Sequence, residues 1–432
     1  MPLDLTLSTM SNGPDAIGRD PETGRAVFVP FAIPGETVRA EIVEEKSTFA
    51  RARLLEILTP SPDRVTPVCK HFGVCGGCHY QHLSYTAQLK WKRQIVIEQL
   101  TRIGGIENPG VLETIPSPDP FHYRNHVQLS QTLDGKLGFI KSDKSVAHPH
   151  LAQAQVSVDE SILPISECPI ARPEIMELFT QIDIDGLDVG QISLRVGADG
   201  ESILIFESES GEPPDVELDL AISVAAVNKD GEALIMIGNE YLVQEIRGRS
   251  FRVSPGSFFQ VNTAQTENLV RVVLEALALK GGETVLDLYC GVGLFTAFIA
   301  PIAARVIGVE SFHPAVRDAE VNLDEFNNVE LYESSVEDAL AHLAASLSQT
   351  PTPTYVLLDP PRSGCDKAVI QHLLALAAQR IVYVSCDPAT LARDARRLIA
   401  GGYRLISAQP LDMFPQTHHI ETVAIFESAI QY

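Results

Sequence analysis

Apolar runs and segments with helical periodicity alternate from about residue 254 to the end of the chain. Three of the apolar runs have the length of buried strands, and they cover residues 305–309, 355–358 and 381–384. Segments with the helical period lie between and after such runs, at 314–326, 336–346, 367–378 and 388–399. Strands and helices that alternate in this way form a parallel sheet with helices on both faces. The pattern therefore predicts a Rossmann-like α/β domain over residues 254–432.

In the N-terminal part of the chain, the pattern of apolar and polar residues repeats with a shorter period. Apolar and polar residues alternate at 26–29 and 37–43, between turn sequences such as Asp20-Pro-Glu-Thr-Gly24. Short alternating strands between tight turns are typical of a small barrel. We expect residues 1–60 to form a β-barrel of the OB-like kind.

The middle of the chain, residues 61–253, mixes several patterns. A proline-rich linker at 60–67 precedes one amphipathic helix at 83–104, and the remainder consists of hairpin-like strands and turns. These elements predict a mixed α+β central domain. No internal repeat is evident along the chain.

Length and composition indicate a folded, multidomain protein. The 432 residues are 45% hydrophobic, and no apolar run reaches the roughly 18 residues of a membrane helix. The first ten residues carry no basic side chain, so no secretory signal is visible. Seven cysteines, three of them clustered, suit a reducing compartment. We therefore expect a cytoplasmic protein with no membrane association.

The net charge of −23, from 33 basic and 56 acidic residues, is unusual for a protein that binds nucleic acid. Such proteins normally carry a basic surface. Net charge does not report how charges are distributed, so an acidic outer surface around a local basic groove is compatible with it. A saline cytoplasm or the absence of any RNA partner would explain it equally well.

Cys386 occupies a position suited to chemistry. It follows the apolar run 381–384, and Asp387 and Pro388 after it are the cap and first-turn residues of a predicted helix. A thiol at the carboxyl end of a strand and facing a helix N-terminus is expected to have a lowered pKa. Cys386 is therefore a candidate nucleophile, with an inert buried thiol as the alternative.

A glycine-rich turn and an acidic residue predict a nucleotide site. The turn Gly291-Val-Gly293 follows an apolar strand that ends in Asp287, and the next strand ends in Glu310, where a dinucleotide fold holds an acid for ribose hydroxyls. Thr296 stands where the third glycine of a phosphate-binding turn belongs. A nucleoside cofactor without a pyrophosphate therefore fits better than NAD, and a purely structural turn is the alternative.

Four cysteines form a candidate metal centre. Cys69, Cys75 and Cys78 are close in sequence, and Cys168 follows after 89 further residues. Four thiolates can hold tetrahedral zinc or an iron–sulfur cluster, and the spacing does not decide between them. Buried thiols without metal are the third possibility.

Two segments of the central domain mix aromatic with basic residues, at 121–126 and 138–144, and Lys90, Lys92 and Arg93 form a basic cluster on the predicted helix. Recognition of single-stranded RNA uses this mix for base stacking and phosphate contact. A solvated helix face is an equally good interpretation of the three basic residues.

The motifs resemble those of one family, the RNA 5-methyluridine methyltransferases. The resemblance rests on five sequences: Gly256-Ser-Phe-Phe-Gln-Val-Asn262, Asp287-Leu-Tyr-Cys-Gly-Val-Gly293, Asp359-Pro-Pro-Arg362, Val384-Ser-Cys-Asp-Pro-Ala-Thr390 and His418-His-Ile-Glu-Thr-Val423. Residues 28–36 and 46–53 are similar to the TRAM module, an RNA-binding barrel. Residues 68–80 match the motif of a 4Fe–4S cluster found in this family.

The resemblance implies a class I methyltransferase domain that uses S-adenosylmethionine and RNA, in a chain expected to be monomeric. Cys386 would be the nucleophile and Glu421 the general base. Contacts with the cofactor are implied for five residues: Gln260, Tyr289, Glu310, Ser335 and Asp359. The cluster would be held by Cys69, Cys75, Cys78 and Cys168.

The implied reaction is methylation of carbon 5 of a uridine, and 23S ribosomal RNA is the expected substrate. A transfer-RNA uridine or a small molecule is the alternative substrate. Arg362 stands where amino-group methyltransferases have an aromatic residue after Pro-Pro, which argues against that class. Cys290 and Cys365 are expected to be spectators, and His418 and His419 to be packing or positioning residues.

Overall fold

Five strands close into a barrel at the N-terminus of this computed structural model, which describes residues 2–132, 135–142, 161–182, 191–208, 212–215, 219–347 and 354–429. The strands are β1 (Pro2–Met10), β2 (Ala16–Arg19), β3 (Ala26–Val29), β4 (Thr37–Glu45) and β5 (Phe49–Thr59), in the order β1-β2-β3-β5-β4. Alternate side chains such as Leu5, Leu7 and Val38 fill the interior. The predicted small barrel is confirmed.

A single long helix, α1 (Tyr85–Arg102), connects the barrel to the rest of the molecule. The hydroxyl of Ser84 caps it by accepting a hydrogen bond from the N–H of Ala87 at 3.3 Å. The predicted helix at 83–104 is thus confirmed to within two residues at each end. Its buried face carries Ile95, Val96 and Leu100, and also the charged residue Lys92.

Seven strands of the central region form one sheet in the order β12-β11-β10-β9-β6-β7-β8. They are β6 (His126–Gln131), β7 (Leu137–Ile140), β8 (Ile162–Pro164), β9 (Gln191–Val196), β10 (Ser202–Glu207), β11 (Ser223–Val227) and β12 (Ala233–Ile237). Helix α2 (Pro173–Phe179) packs on this sheet, and β13 (Leu242–Ile246) pairs with β14 (Arg249–Val253) in a separate hairpin.

The C-terminal region is a second seven-stranded sheet with helices between its strands. After α3 (Thr263–Leu277), the elements are β15 (Thr284–Leu288), α4 (Leu294–Ile299), β16 (Arg305–Glu310), α5 (His313–Asn322), β17 (Val329–Glu333), α6 (Val336–Leu347), β18 (Thr354–Leu358), α7 (Lys367–Leu376), β19 (Arg380–Ser385), α8 (Pro388–Ala400), β20 (Tyr403–Leu411) and β21 (Glu421–Ser428). The strand order is β17-β16-β15-β18-β19-β21-β20.

The direction of the last strands differs from the prediction. Strands β15 to β19 are parallel, as expected, but β21 runs antiparallel to both β19 and β20. The connection between β20 and β21 contains no helix, so β21 returns beside its predecessor in the opposite direction. The sheet is therefore mixed rather than parallel throughout. This reversal brings the start of β21 to the carboxyl edge of the parallel strands.

The connection 412–420 is held by the central domain. Lys92 Nζ donates to Asp412 Oδ1 at 2.5 Å and to the carbonyl of Phe414 at 3.1 Å, and both charged side chains are fully buried. The Tyr123 hydroxyl donates to the carbonyl of Pro415 at 3.0 Å. Lys92 is consequently an internal anchor, and the expectation that it could contact phosphate is wrong. Burial without its counter-ion would be too costly for an ammonium group.

No helix in the described parts of the chain is both long enough and apolar enough to span a membrane.

Candidate active site at the carboxyl edge of the second sheet

The backbone register brings the predicted site residues to one edge of the second sheet. Leu288 of β15 pairs with Val309 of β16 and with Leu358 of β18, so the residues that follow these positions lie side by side. They are Tyr289, Glu310 and Asp359. Ligands of open α/β sheets bind at this carboxyl edge, near the point where the strand order reverses.

The antiparallel strand β21 completes the same edge. Ser385 at the end of β19 pairs with Thr422, so Cys386 and Glu421 are the next residues on the two strands and face each other. The sequence motifs placed both residues near strands but could not show that one strand is reversed. The reversal explains how residues 35 positions apart reach the same site.

Cys386 is partly exposed, but its environment opposes ionisation. Burial, together with the nearby carboxyl groups of Glu421 and Asp359, raises the pKa of its thiol to about 12, although Arg362 acts to lower it. The expectation of a lowered pKa is therefore wrong for the free protein. The helix dipole of α8 is partly used by Asp387, whose carboxylate accepts hydrogen bonds from the N–H groups of Ala389 and Thr390.

Glu421 is buried and its carboxyl group is poorly solvated. Burial and the negative charge of Asp359 raise the pKa of Glu421 well above its usual value, and Arg362 opposes the shift. Its Oε1 atom has no hydrogen-bond partner among the described residues. Burial and Asp287 likewise raise the pKa of Asp359 to about 7. A carboxylate that holds its proton this firmly is a strong base once it is ionised.

Arg362 and a group of histidines form the wall beside these acids. The Arg362 guanidinium is exposed, and one of its nitrogens lies 3.5 Å from Nε2 of His419. The ring of His419 is 4.2 Å from that of His418, which is 4.5 Å from the ring of His79. Burial lowers the pKa of His418 to about 3 and that of His419 to about 2, so both imidazoles are neutral at physiological pH.

The glycine turn after β15 has the geometry of a ligand-binding loop. Gly291 has a φ of 55°, and no atom within 4 Å would meet a Cβ there, so the space above the loop is open. Tyr289 also has a positive φ, 65°. Glu310 accepts hydrogen bonds from the N–H groups of Gly291, Ser311 and Phe312 at 2.8 to 3.1 Å, which ties the turn to the end of β16.

Gln260 and Ser335 lie on the loops that flank this edge. Gln260 belongs to the connection between β14 and α3, where Asn262 caps α3 and donates to the carbonyl of Met413 at 3.1 Å. The Ser335 hydroxyl is 2.8 Å from Asp338 Oδ2 and accepts from the N–H of Asp338, as a helix cap does. A hydroxyl engaged in capping has less capacity to bind a ligand.

The four cysteines of the predicted metal centre line one cavity of about 320 Å³. Burial raises the pKa of each thiol, and that of Cys75 reaches about 12. The side chains are brought together, but in the described parts of the chain no three His, Cys, Asp or Glu residues are arranged to hold a single metal ion. The geometry thus does not show the predicted metal.

The segments predicted to contact RNA are partly buried and partly accessible. Tyr123 is buried, and His126 has a pKa well below its usual value because it is buried beside Arg195. Phe139 and Lys141 line a groove against the barrel. Residues 143–144 lie outside the described part of the chain.

Sequence reasoning missed three features of this site. It used Arg362 only to exclude another enzyme class, it gave His79 no role, and it did not single out Phe258, which is 69% exposed. The sequence offered only the aromatic pair Phe258-Phe259 within the 256–262 motif as a signal, since the exposure that marks a binding surface is seen in the structure alone. Contact between His79 and His418, 339 residues apart, has no signal in one sequence.

Comparisons with known proteins cover nearly the whole chain. The sequence model of the tRNA (uracil-5-)-methyltransferase family matches residues 216–429, and that of the TRAM domain matches residues 3–55. An uncharacterized RNA methyltransferase of Chlorobaculum tepidum is 33% identical over 99% of this chain and 96% of the relative. Another, of Halalkalibacterium halodurans, is 34% identical over 98% of this chain and 96% of the relative.

A solved structure extends the similarity to three dimensions. The tRNA (uracil-54, C5)-methyltransferase of Pyrococcus abyssi, in complex with S-adenosyl-L-homocysteine, superposes with a TM-score of 0.71. It is 29% identical, and the alignment covers 98% of this chain and 100% of that chain.

Proposed function

This chain belongs to the S-adenosylmethionine-dependent RNA (uracil-5-)-methyltransferase family, and from that premise we propose that it methylates one uridine through a covalent adduct with Cys386. The expected family and the TRAM barrel are confirmed by the comparisons, and the relatives named as RNA methyltransferases favour RNA over a small molecule as the substrate. The observation that carries the proposal is the pairing of Ser385 with Thr422, which sets the Cys386 thiol opposite the Glu421 carboxyl group.

The chemistry requires both groups. Carbon 5 of uracil is too weak a nucleophile to attack a methyl sulfonium directly. Addition of the Cys386 sulfur to carbon 6 breaks the 5,6 double bond and moves the electron pair into an enolate, which makes carbon 5 nucleophilic. S-adenosylmethionine, when bound, supplies the electrophilic methyl group. Glu421 then removes the proton from carbon 5, the double bond re-forms, and the thiolate leaves carbon 6.

Arg362 is the cation placed to assist these steps. It lowers the pKa values of both Cys386 and Glu421, so its positive charge acts on both reacting groups. The same charge would stabilise the enolate oxygen on the substrate ring. The neutral His419 ring beside Arg362 limits the positions that the guanidinium can take.

The cofactor would lie across the glycine turn. Glu310 at the end of β16 is placed for the ribose hydroxyls, and the open space above Gly291 admits the ligand close to the backbone. Tyr289 and Asp359 border the same edge, and Gln260 on the loop before α3 is the further contact that the family motif implies. Ser335 is a weaker candidate for the adenine contact, because its hydroxyl already caps α6.

A 4Fe–4S cluster on the four cysteines remains our proposal for the central domain. The four thiols line one cavity of about 320 Å³, which has room for such a group. Cys69, Cys75, Cys78 and Cys168 would be its ligands. Its role would be structural, since no redox substrate site adjoins it in the described residues.

Ribosomal RNA is the substrate we propose first, because members with this four-cysteine motif act mainly on the large-subunit RNA. Transfer RNA is the second candidate, favoured by the activity named for the Pyrococcus abyssi relative. Mass spectrometry of 23S ribosomal RNA and transfer RNA from a deletion strain distinguishes them. Loss of 5-methyluridine from one RNA identifies the substrate, and loss from neither contradicts the proposed function.

A further inference from the structure

A wide groove separates the barrel from the central sheet. Its volume is about 750 Å³, and it is bordered by the β1–β2 turn and by β3 and β5 on one side, and by β6, β7 and the cysteine loop on the other. Of the active-site residues, only His79, from the group of histidines beside the acids, also lines the groove. The groove is therefore a second site, one that the methyl-transfer chemistry does not use.

Aromatic side chains from both domains border this groove. Phe28 of β3 and Phe139 of β7 are half-buried, and each leaves part of its ring accessible. Phe49 packs edge-to-face on Phe28 with 5.6 Å between centroids, and the Arg51 guanidinium lies 5.9 Å from the centroid of the Phe28 ring, so both contacts hold the ring in place. Aromatic faces held in this way provide stacking platforms for nucleobases.

Polar groups beside the rings are available to a base. The amide of Asn12 makes no hydrogen bond within the described parts of the chain. Gln128 and Ser130 project from β6 into the groove because its alternate residues Val127 and Leu129 face the core, but the Gln128 amide nitrogen already donates to Gln191 at 3.1 Å and to Glu207 at 2.7 Å. Amide and hydroxyl groups can both donate and accept, as the edge of a nucleobase requires.

The charges favour a base over a phosphate at this position. The groove contains two cations, of which Arg51 lies 3.4 Å from Asp15 and 3.5 Å from Glu44. Lys141 has no acidic partner in the described residues. Arg39 and Arg53 on the same barrel are also paired with acids. A surface neutralised in this manner offers few phosphate contacts, so its attraction for RNA must come mainly from stacking.

One residue, His79, lies both at the groove and at the wall beside the catalytic acids. His79 lines the groove, and its ring contacts the ring of His418, three residues before Glu421. An RNA strand whose target uridine lies beside Cys386 would pass His79 to reach the groove.

Building on the proposed function, we propose that this groove binds a second, unpaired nucleotide of the same RNA strand, with its base stacked on Phe28. Asn12 contacts the edge of that base, and Lys141 contacts one phosphate. The substrate must then be single-stranded at the target uridine and also at the nucleotide in the groove.

The test is RNA binding by the full chain, measured by fluorescence anisotropy with a 5′-fluorescein-labelled U12 oligonucleotide. Phe28→Leu keeps apolar volume but removes the aromatic face, and we expect binding about 5- to 100-fold weaker, the range for losing one stacked base. Phe28→Trp should bind as tightly as the wild type or more tightly. Val43→Ala, at an exposed position on β4 outside the groove, is the matched barrel control and should change nothing.

Salt dependence separates stacking from phosphate contact. Lys141→Ala should reduce the slope of log K against log[salt] by about 0.7, the value for one phosphate on a single strand, whereas Phe28→Leu should leave the slope unchanged. U12 oligonucleotides with one 2-aminopurine should show quenching that Phe28→Leu abolishes and Val43→Ala retains.

Two outcomes overturn the inference: Phe28→Leu binding within twofold of the wild type, or 2-aminopurine quenching that persists in Phe28→Leu. If the wild-type protein methylates RNA and either of these results is obtained, only the groove proposal is refuted. If binding depends on Phe28 but the wild-type protein methylates no RNA, the groove proposal is supported and the proposed function is refuted.

Discussion

The charges around Cys386 determine when its thiol can react. Burial and the two neighbouring carboxyl groups raise the pKa of the thiol to about 12, and Arg362 only partly offsets them. The free protein therefore holds Cys386 mainly as the thiol, whereas the thiolate is the reactive species. Ionisation must accompany binding of the substrates at this edge.

Replacing Cys386 by Ala should abolish methylation of RNA while S-adenosylmethionine binding stays normal. The variant should form no gel-stable adduct with RNA that contains 5-fluorouridine, which the wild type should form because fluorine cannot be removed as a proton is. Cys365→Ala is the control, because that thiol is buried and lies beside Tyr383 and Asp394. Substantial methylation by Cys386→Ala would show that the nucleophile is another residue.

Glu421→Gln should interrupt the reaction after methyl transfer. The amide keeps the shape of the side chain but cannot accept the carbon 5 proton, so the methylated ring stays attached to Cys386. We expect turnover to fall by at least about 10²-fold, together with a protein–RNA species that carries label from the cofactor methyl group. Turnover near the wild-type rate, or no labelled adduct from a variant that binds RNA, would contradict the assignment of the base.

The raised pKa of Glu421 also predicts a pH dependence. Only the ionised carboxylate accepts the proton, so the single-turnover rate of adduct release should rise with pH, with its midpoint above the usual carboxyl range. Arg362 lowers this pKa, and Arg362→Met should therefore move the midpoint to higher pH. A rate that is already independent of pH across the range from 5 to 8, in both proteins, would disprove the shift.

At the scale of elements, the hydrophobic pattern of a segment predicted whether that segment forms a strand or a helix. The alternation in 37–43 and the helical period in 388–399 gave β4 and α8, because each pattern reflects which side chains face a core. The reversed strand β21 was not predicted, since its direction depends on pairing with β19 across the molecule. Lys92 was misassigned for the same reason: its partner Asp412 lies 320 residues away.

The buried pair of Lys92 and Asp412 should stabilise the connection that leads to Glu421. Lys92→Met leaves the Asp412 carboxylate buried without a counter-charge, which should cost about 3–5 kcal/mol in the free energy of unfolding measured with urea. Lys90→Met, at an exposed position on the same helix, should change stability by no more than about 0.5 kcal/mol.

The double variant Lys92→Met/Asp412→Leu tests the cause. It removes both charges, so it should recover most of the stability that Lys92→Met loses. Equal stability of Lys92→Met and Lys90→Met would mean that the pair does not hold the connection.

At the scale of the whole molecule, the parts are joined by contacts that no sequence period reveals. The loop 412–420 touches α1, the 121–126 segment and the loop before α3, so the catalytic edge depends on the central domain. The net charge of −23 likewise does not show where the charges lie. On the barrel, arginines are paired with acidic residues, so positive and negative side chains are interspersed there. The cysteine cavity also joins distant parts of the chain. Cys168 follows strands β6 to β8 in the sequence, yet it lines the same cavity as the three cysteines that precede them.

If the cysteine cavity holds a 4Fe–4S cluster, protein purified without oxygen should be brown and contain about four irons and four sulfides per chain. Cys168→Ser should lower both contents and the temperature of unfolding, because ligand binding contributes to the folding free energy of such sites. Cys290→Ser, a buried thiol outside the cavity, controls for the loss of any cysteine and should keep full iron content. Stoichiometric zinc without sulfide would establish a different metal centre, and metal-free protein of undiminished stability would leave four buried thiols with only a packing role.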